Sequence, residues 1–184
     1  MLNAADDLLV ERGFAGVTIE GIAARAGVAK QTIYRWWASK TEVLIDAYLE
    51  DAAEDLTPPD HGDLVSDLRD YLRTLARFLT GSDSGEVFKA LIGQAQHAPD
   101  VAAAFRDKCV EEQRHRDRLP IERAIGRGEL PKNLDVTMAV DQRGGPIYYW
   151  ILVTGQAVDT EFSDKLVDSF PHSAVRADRA RPMD

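Results

Sequence analysis

The stretch from residue 17 to residue 41 constrains the fold of this chain more than any other. Thr18 can cap a helix N-terminus with its hydroxyl. Apolar residues then follow at helical spacing: Ile19, Ile22, Ala23 and Ala26. Gly27 predicts the end of that helix, because glycine adopts the left-handed conformation without steric cost. A second short helix is predicted from Ala29 to Trp37, and two short helices joined by a glycine-containing turn are typical of a helix-turn-helix.

The charge of this stretch differs from that of the whole chain. The chain carries a formal net charge of -9 at pH 7, whereas residues 21–41 contain no acidic residue. The same segment has four basic residues: Arg25, Lys30, Arg35 and Lys40. A basic segment on an acidic protein favours phosphate contact, because DNA repels the remaining surface. The alternative is a solvated basic face on an ordinary helical hairpin; the turn glycine and the polar outer face together favour DNA binding.

The sequence GIAARAGVAKQTIYRWWASKTEVL closely resembles the DNA-binding segment of TetR-type transcriptional repressors. The resemblance runs from about Leu2 to Tyr48, and includes the Ala-Gly-Val turn, the Thr-Ile-Tyr run and the Ser39-Lys40 pair. It implies an all-α protein with an N-terminal three-helix DNA-binding domain and a C-terminal helical domain for ligand binding and dimerisation. It also implies a repressor that a small-molecule inducer releases from a near-palindromic operator in double-stranded DNA.

The candidate DNA-binding residues divide by expected role. The resemblance implies that Tyr34 and Lys40 contact the phosphate backbone of DNA. We expect the Thr18 hydroxyl to contact that backbone as well. The start of the second helix, where side chains reach base edges, carries Lys30, Gln31 and Thr32. The sequence leaves open whether Arg35 contacts a phosphate or a guanine.

Three segments are predicted along the chain. Residues 1–56 form the DNA-binding domain, ending in a linking fourth helix from Ser39 whose Ser39 and Glu42 have capping-box spacing. The sequence TPPDHG after that helix contains two prolines and marks the domain boundary. Residues 57–170 form the helical ligand-binding and dimerisation domain. The polar stretch 171–184 is expected to be disordered.

Helical periodicity fills the predicted C-terminal domain. A leucine stripe predicts a helix up to Gly81, and Asp83 and Glu86 are expected to cap the next one. A further helix opens at Pro99, and the sequence leaves open whether Pro120 interrupts or restarts it. Later helices are predicted over residues 135–153, with a kink at Gly144-Gly145-Pro146, and around residues 162–170, with Thr160 as the cap.

Consecutive aromatic residues near the end of the chain predict a homodimer. Tyr148, Tyr149 and Trp150 point in different directions around one helix, so they cannot all face one core. The resemblance implies that the last two helices pair with their copies in a second subunit. The expected interface residues are Pro146, Ile147, Tyr149, Trp150, Phe162 and Leu166.

The sequence carries no constellation that predicts an enzyme. The histidines lie far apart, without metal-ligand spacing to one another or to the single cysteine, Cys109. There is no dinucleotide-binding glycine motif and no P-loop. We therefore expect no catalysis, no cofactor and no metal. One cysteine fits a reducing compartment; with no signal peptide and no apolar run long enough for a membrane, a cytoplasmic protein is expected.

A small-molecule pocket in the second domain is a further hypothesis. Its candidate lining, which suits an apolar or aromatic effector, is Tyr71, Phe78, Phe88, Ile92, Phe105, Cys109, Gln113 and Tyr148. Each of these residues taken singly is more typical of a packed core, whereas the family resemblance favours a cavity between helices. A third possibility is a ligand-independent dimeric repressor whose second domain serves dimerisation only.

Overall fold

The computed structural model describes residues 1–169 and is all-α over that range, with no β-strand among those residues. The expected fold class is therefore confirmed, while the tail predicted at 171–184 lies outside the described residues. The helices are α1 (Leu2–Gly16), α2 (Ile19–Ala26), α3 (Lys30–Tyr34), α4 (Lys40–Asp55), α5 (Leu64–Gly81), α6 (Asp83–Ala95), α7 (Pro99–Ala104), α8 (Glu111–Arg127), α9 (Val136–Tyr149) and α10 (Thr160–Asp168). Two π-helical segments are π1 (Phe105–Val110), between α7 and α8, and π2 (Trp150–Thr154), after α9.

The chain forms two compact units, each of which combines two stretches of sequence. The first unit, the N-terminal unit, contains Met1–Asp55 and Phe78–Glu112. The second, the C-terminal unit, contains Leu56–Arg77 and the chain from Gln113 onward. Helices α5 and α8 therefore each contribute to both units. The domain limits 1–56 and 57–170 stay a prediction.

The core of the N-terminal unit lies where α1, α4 and α6 pack against one another. Helix α1 contributes Leu8 and Leu9, which are at most 4% exposed, and α4 contributes the fully buried Leu44 and Tyr48. Regular helix in α1 is broken at Gly13, which has φ 65° and ψ 170°, and a last turn continues to Gly16. Apolar burial at helical spacing thus fixes which faces of these helices meet.

Several helix ends follow local sequence signals. Thr18 caps α2 by accepting a hydrogen bond from the Gly21 N–H at 3.0 Å. Gly27, with φ 67° and ψ 30°, ends that helix. At α4 the Glu42 N–H donates to Ser39 Oγ at 3.3 Å, and the Glu42 carboxylate accepts from the Ala38 N–H at 2.9 Å. The capping interactions predicted for α2 and α4 are therefore present, because each depends on residues within a few positions.

Two predicted caps were wrong, and in each case the capping residue lies just before the first residue predicted. Ser82, not Asp83 or Glu86, caps α6 by accepting from the Gly85 N–H at 3.0 Å. Asp159, not Thr160, caps α10 by accepting from the Phe162 N–H at 2.7 Å. In both cases the capping residue has extended backbone and the residue after it is already helical. A run of several capping residue types does not by itself specify which member takes the non-helical position.

Two prolines of the second predicted domain lie inside continuous helices. Helix α8 runs through Pro120 and α9 runs through Pro146. The kink expected at Gly144-Gly145-Pro146 does not divide α9; the departure from α-helical geometry comes afterwards, in π2. In the C-terminal unit, Arg123 donates to the carbonyls of Pro58 and Pro59 at 3.3 and 2.8 Å, which ties the chain before α5 to α8.

Candidate functional site

Helix α3 presents an almost entirely exposed surface built around one buried side chain. Ile33 is 1% exposed and anchors the helix to the N-terminal unit. The outward side chains are Lys30, Gln31, Thr32 and Tyr34. The helix is shorter than the predicted span Ala29 to Trp37, because the chain turns after Tyr34, although the Trp36 and Trp37 N–H groups still donate to the Ile33 carbonyl.

The position of α3 is fixed by contacts at both of its ends. Before it, the Val28 N–H donates to the Ala23 carbonyl at 3.0 Å, across the glycine turn. After it, Trp37 Nε1 donates to Asp46 Oδ2 of α4 at 2.7 Å. Asp46 Oδ1 in turn accepts from Lys108 Nζ of π1 at 3.3 Å. A helix of five residues is too short to be stable alone, so these contacts and Ile33 hold the exposed face in place.

Lys40 makes more contacts within the protein than a residue that only binds phosphate would need. Its Nζ donates to the carbonyls of Phe14 at 2.6 Å and Val17 at 2.9 Å, and lies 4.4 Å from the centre of the Phe14 ring. Partial burial lowers the pKa of Lys40. An ammonium group has three donors, so one could still reach a phosphate while the other two join α4 to the end of α1 and to Val17 just after it.

The basic patch is partly neutralised by acidic residues outside the stretch 21–41. Arg25 forms ion pairs with Asp7 at 3.3 Å and with Glu11. Lys30 Nζ pairs with Glu20 Oε1 at 3.1 Å. Within residues 1–169, Arg35 has no carboxylate partner; its guanidinium lies 5.6 Å from the centre of the Trp36 ring. Among the basic side chains of α3 and the residues next to it, that of Arg35 is therefore the most available to an anion.

Trp36 is a candidate contact that the sequence analysis did not assign. Its side chain is 67% exposed, more than Tyr34 at 53%. Tyrosine and tryptophan are enriched at interfaces, because their rings bury a large apolar area and still carry a hydrogen-bonding group. The adjacent pair Trp36-Trp37 was the sequence signal for this contact. Side chains of adjacent residues point in different directions, so with Trp37 bonded to Asp46 its neighbour Trp36 faces outward.

The proposed effector residues divide between the two units. In the N-terminal unit, Phe88 lies 5.3 Å from Tyr48 and 5.6 Å from Phe105, measured between ring centres, and Tyr48 lies 6.0 Å from Phe78. Cys109 is 1% exposed. Ile92 is half-buried on α6. These distances are those of packed aromatic rings, so Phe78, Phe88 and Phe105 contribute to a core.

In the C-terminal unit, Tyr71 and Gln113 belong to a buried polar network. The Tyr71 hydroxyl donates to Asp117 Oδ1 at 2.6 Å, and Gln113 Nε2 donates to the same oxygen at 2.7 Å. Arg116 donates to Gln113 Oε1 at 3.3 Å. Burial raises the pKa of Asp117, while the hydrogen bonds from Tyr71 and Gln113 oppose that rise. The sequence analysis missed Asp117 because it lies in a charged run that is typical of a solvated helix face.

A small cavity borders this network. Its volume is about 10 Å³, which is room for one water molecule. The lining consists of Leu68, Tyr71, Leu72, Asp117, Ile121, Val140, Arg143 and Gly144. A methyl group at Gly144 would lie 3.5 Å from Tyr148 Cε2 and 3.9 Å from Asp117 Oδ2. Oδ2 of Asp117 and Tyr148 therefore face the same glycine of α9.

The residues expected at a dimer interface differ in their exposure. Tyr149 is 57% exposed, whereas Ile147 is fully buried in its own protomer and has no surface for a partner. Trp150 and Phe162 contact each other, with ring centres 4.9 Å apart, and both are half-buried. Pro146 and Leu166 are also half-buried. Exposed apolar surface continues along α9 and π2 at Met138 and Val153, which are 55% and 69% exposed.

Within residues 1–169, no three His, Cys, Asp or Glu side chains are placed to hold a metal ion. Over the same residues, no helix combines the length and the apolar character that crossing a membrane requires.

Comparisons with known proteins agree with the exposed helix-turn-helix. Residues 1–47 match the family described as bacterial regulatory proteins, tetR family, and residues 58–170 match the tetracyclin repressor-like C-terminal domain. The HTH-type transcriptional regulator YdeS of Bacillus subtilis is 41% identical over 167 residues, which cover 91% of this chain and 84% of that protein.

Solved structures resemble the fold over nearly its full length. The TetR family transcription regulator SCO0332 superposes with a TM-score of 0.82 and 33% identity, covering 93% of this chain and 94% of that one. FadR of Bacillus subtilis, solved in complex with stearoyl-CoA, has a TM-score of 0.69 and 20% identity, covering 92% of this chain and 95% of that one. The matching family models, the sequence relative and the exposed α3 lead to one conclusion: this chain belongs to the TetR family of helix-turn-helix transcriptional regulators.

Proposed function

We propose that the protein is a homodimeric repressor that inserts α3 of each subunit into successive major grooves of a near-palindromic operator. The observation that carries this proposal is the exposed polar face of α3 around the buried Ile33. Two-fold symmetry requires half-sites on one face of the DNA, about 34–36 Å or a multiple of that distance apart. The match to a repressor-like C-terminal domain supports repression as the outcome.

The contacts divide into backbone and base contacts. Thr18, Tyr34 and Lys40 hold the phosphate backbone. Lys30, Gln31 and Thr32, which are all exposed at the start of α3, reach the base edges. Arg35, together with the exposed Trp36, extends this surface toward either a phosphate or a guanine.

Binding-site selection on two variants tests this division. Gln31→Ala should relax the preference at one base pair per half-site by about 1–3 kcal/mol if the contact is bidentate. Lys40→Ala should weaken binding to all sequences alike and reduce the salt dependence by about one ion per subunit. Since Lys40 also holds the Phe14 and Val17 carbonyls, melting temperatures are measured for both variants. An unchanged motif for Gln31→Ala together with an altered motif for Lys40→Ala would reverse the assigned roles.

The proposed effector site is the polar network of the C-terminal unit. Tyr71, Gln113 and Tyr148 from the expected set lie beside Asp117 and Gly144, whereas the aromatic residues of the N-terminal unit are packed together. The fold is shared with FadR, which was solved with a bound acyl-CoA, and this supports a ligand-responsive regulator. An effector that fits here combines an apolar body with a hydrogen-bond donor for Asp117.

The small cavity favours a second candidate function, a repressor that needs no effector. A space of about 10 Å³ holds no organic ligand unless the helices move apart. A thermal-shift screen of small aromatic compounds with and without amine or hydroxyl groups separates the two, because a ligand of the folded state raises the melting temperature. If an effector binds at this site, Gly144→Val should abolish both the effector-induced rise in melting temperature and the effector-induced release of the operator. Gly126→Val, at an exposed glycine with open space around it, is the control.

A further inference from the structure

The buried face of α1 contains one carboxylate, that of Asp6. The side chain is 6% exposed and lies among apolar neighbours on the same helix, Ala5 and Leu9. Helix α1 packs against α4 and α6, so this carboxylate lies where three helices of the N-terminal unit meet. Burying an ionised carboxylate is costly unless donors surround it.

Asp6 lacks the compensation that a buried carboxylate usually has. Within residues 1–169, its Oδ1 is inaccessible to solvent and accepts no hydrogen bond. The buried hydroxyl of Ser84 on α6 donates instead to Asp51 Oδ2 of α4. A buried carboxylate oxygen without a hydrogen-bond donor destabilises the folded protein while the carboxylate is charged.

The charges that act most strongly on Asp6 are negative. They come from its own helix (Asp7), from α4 (Glu50 and Asp51) and from α6 (Asp83). The nearby basic residues are engaged elsewhere, since Arg25 of α2 pairs with Asp7 and Glu11, and Lys89 of α6 pairs with Glu86. Burial, followed by the charges of Asp51 and Asp83, raises the pKa of Asp6 to about 7.

A metal ion does not resolve this repulsion. The described residues contain no group of three acidic, histidine or cysteine side chains that could hold a cation. A proton can do so, because it removes the charge of Asp6 and converts the carboxylate into an O–H donor facing acidic neighbours.

We propose that Asp6 is a proton-dependent latch that holds α1 against α4 and α6. Protonated, Asp6 is neutral and the three helices pack closely. Ionised, it is repelled by Asp51 and Asp83, and α1 loosens from both helices. The end of α1 supplies the Phe14 carbonyl that positions Lys40, so a loosened α1 also disturbs the start of α4 beside the DNA-binding surface.

The direction of the pH effect follows from the two pKa values. The folded protein keeps the Asp6 proton up to about pH 7, whereas the unfolded chain releases it near pH 3.8. Stability therefore falls as the pH rises from about 4 to 7 and stops falling above 7, because both states are then ionised. Asp6→Asn stays neutral throughout and lacks this contribution.

The test compares melting temperatures of the full chain without DNA from pH 5 to pH 8.5. Relative to Asp6→Asn, the wild-type melting temperature should fall by about 3–5 °C per pH unit up to pH 7 and then level off. Asp55→Asn, at an exposed aspartate of α4, should follow the wild type. Equal pH slopes for wild type and Asp6→Asn, or a lower melting temperature of Asp6→Asn at pH 8, would overturn the proposal.

Hydrogen exchange of the folded protein tests the loosening itself. At pH 8, amides of α1 should exchange at least severalfold faster in the wild type than in Asp6→Asn, while amides of α9 should exchange equally. Equal exchange in α1 would overturn the latch even if the stability difference is found. Both measurements are made without operator or effector, so they succeed or fail independently of the proposed DNA-binding roles.

Discussion

At the scale of single residues, the ion pair between Lys30 and Glu20 affects the charge of the exposed α3 surface that we propose binds DNA. The two atoms lie 3.1 Å apart and both side chains are at least half exposed. Such a pair contributes little to stability, but Glu20 places a negative charge where phosphates would approach. Glu20→Gln should therefore increase operator affinity severalfold at low salt, with a smaller gain at high salt.

A charge-matched variant provides the control for this prediction. Glu122 pairs with Arg118 at 3.0 Å on α8 and, like Glu20, has an exposed side chain. Glu122→Gln removes the same charge from the C-terminal unit, so it should leave operator affinity close to that of the wild type. Fluorescence anisotropy titrations at two salt concentrations measure both variants. Equal gains for the two variants would show that net charge alone is responsible.

Interactions between near neighbours in sequence could be predicted, whereas distant partners could not. The Thr18 cap and the Gly27 turn involve residues within four positions of each other. The Lys40 ammonium instead binds carbonyls 23 and 26 positions away, and Tyr71 donates to Asp117 across 46 positions. No local pattern marks such pairs, because they form only when separate helices pack. This is also why Asp117 was not assigned to the candidate effector site.

At the scale of elements, α3 depends on its neighbours for its position. Trp37 Nε1 donates to Asp46 Oδ2, and this bond ties the chain just after α3 to α4. Asp46→Ala leaves the indole donor without this partner and should cost about 1 kcal/mol of stability. We also expect weaker operator binding, because the exposed face of α3 is then less well oriented. Thermal melts and operator titrations measure the two effects.

Two further variants separate the hydrogen bond from the ion pair at Asp46. Asp46→Asn keeps an acceptor oxygen for Trp37 and should retain most of the operator affinity. Lys108→Met removes the partially exposed ion pair of 3.3 Å and should change stability by less than about 1 kcal/mol. If Lys108→Met weakens operator binding as much as Asp46→Ala does, the contact with π1 rather than the Trp37 bond positions α3.

The uneven exposure of the expected interface residues is also explained at this scale. Ile147 and Tyr149 are two positions apart on α9, which places them on nearly opposite sides of a helix. Burial of Ile147 at 0% exposure therefore accompanies exposure of Tyr149 at 57%. The sequence shows that an aromatic run cannot face one core, but it does not show which member faces inward until the packing of α9 in its own unit is known.

At the scale of the whole molecule, the fold class could be predicted because helical periodicity is strong and no alternating pattern competes with it. The compact units could not be predicted in the same way. Each unit joins two separate stretches of chain, and α5 and α8 pass from one unit to the other. A boundary marked by prolines identifies a break in a helix, but the partners of the following helix depend on long-range packing.

Assembly gives the last prediction. The exposed residues Met138, Tyr149 and Val153, with Gly145 between them, follow one stripe along α9 and π2, at spacings of seven, four and four residues. Open space surrounds Gly145, so a second helix can approach the backbone closely there. Exposed apolar residues that recur on one face of a helix are typical of an interface. We therefore expect a homodimer at micromolar concentration.

Tyr149→Glu should dissociate this dimer, because it would bury a carboxylate without a partner. Tyr149 is a cleaner target than Trp150, whose ring contacts Phe162 within the protomer. The control is Val10→Glu, a similar change at an exposed apolar residue of α1 that is 48% exposed. Sedimentation velocity should show a monomer for Tyr149→Glu and a dimer for Val10→Glu, with unchanged helicity in both. A wild-type monomer at micromolar concentration would contradict both the interface and the palindromic operator, because the two-fold symmetry of the operator follows from that of the protein.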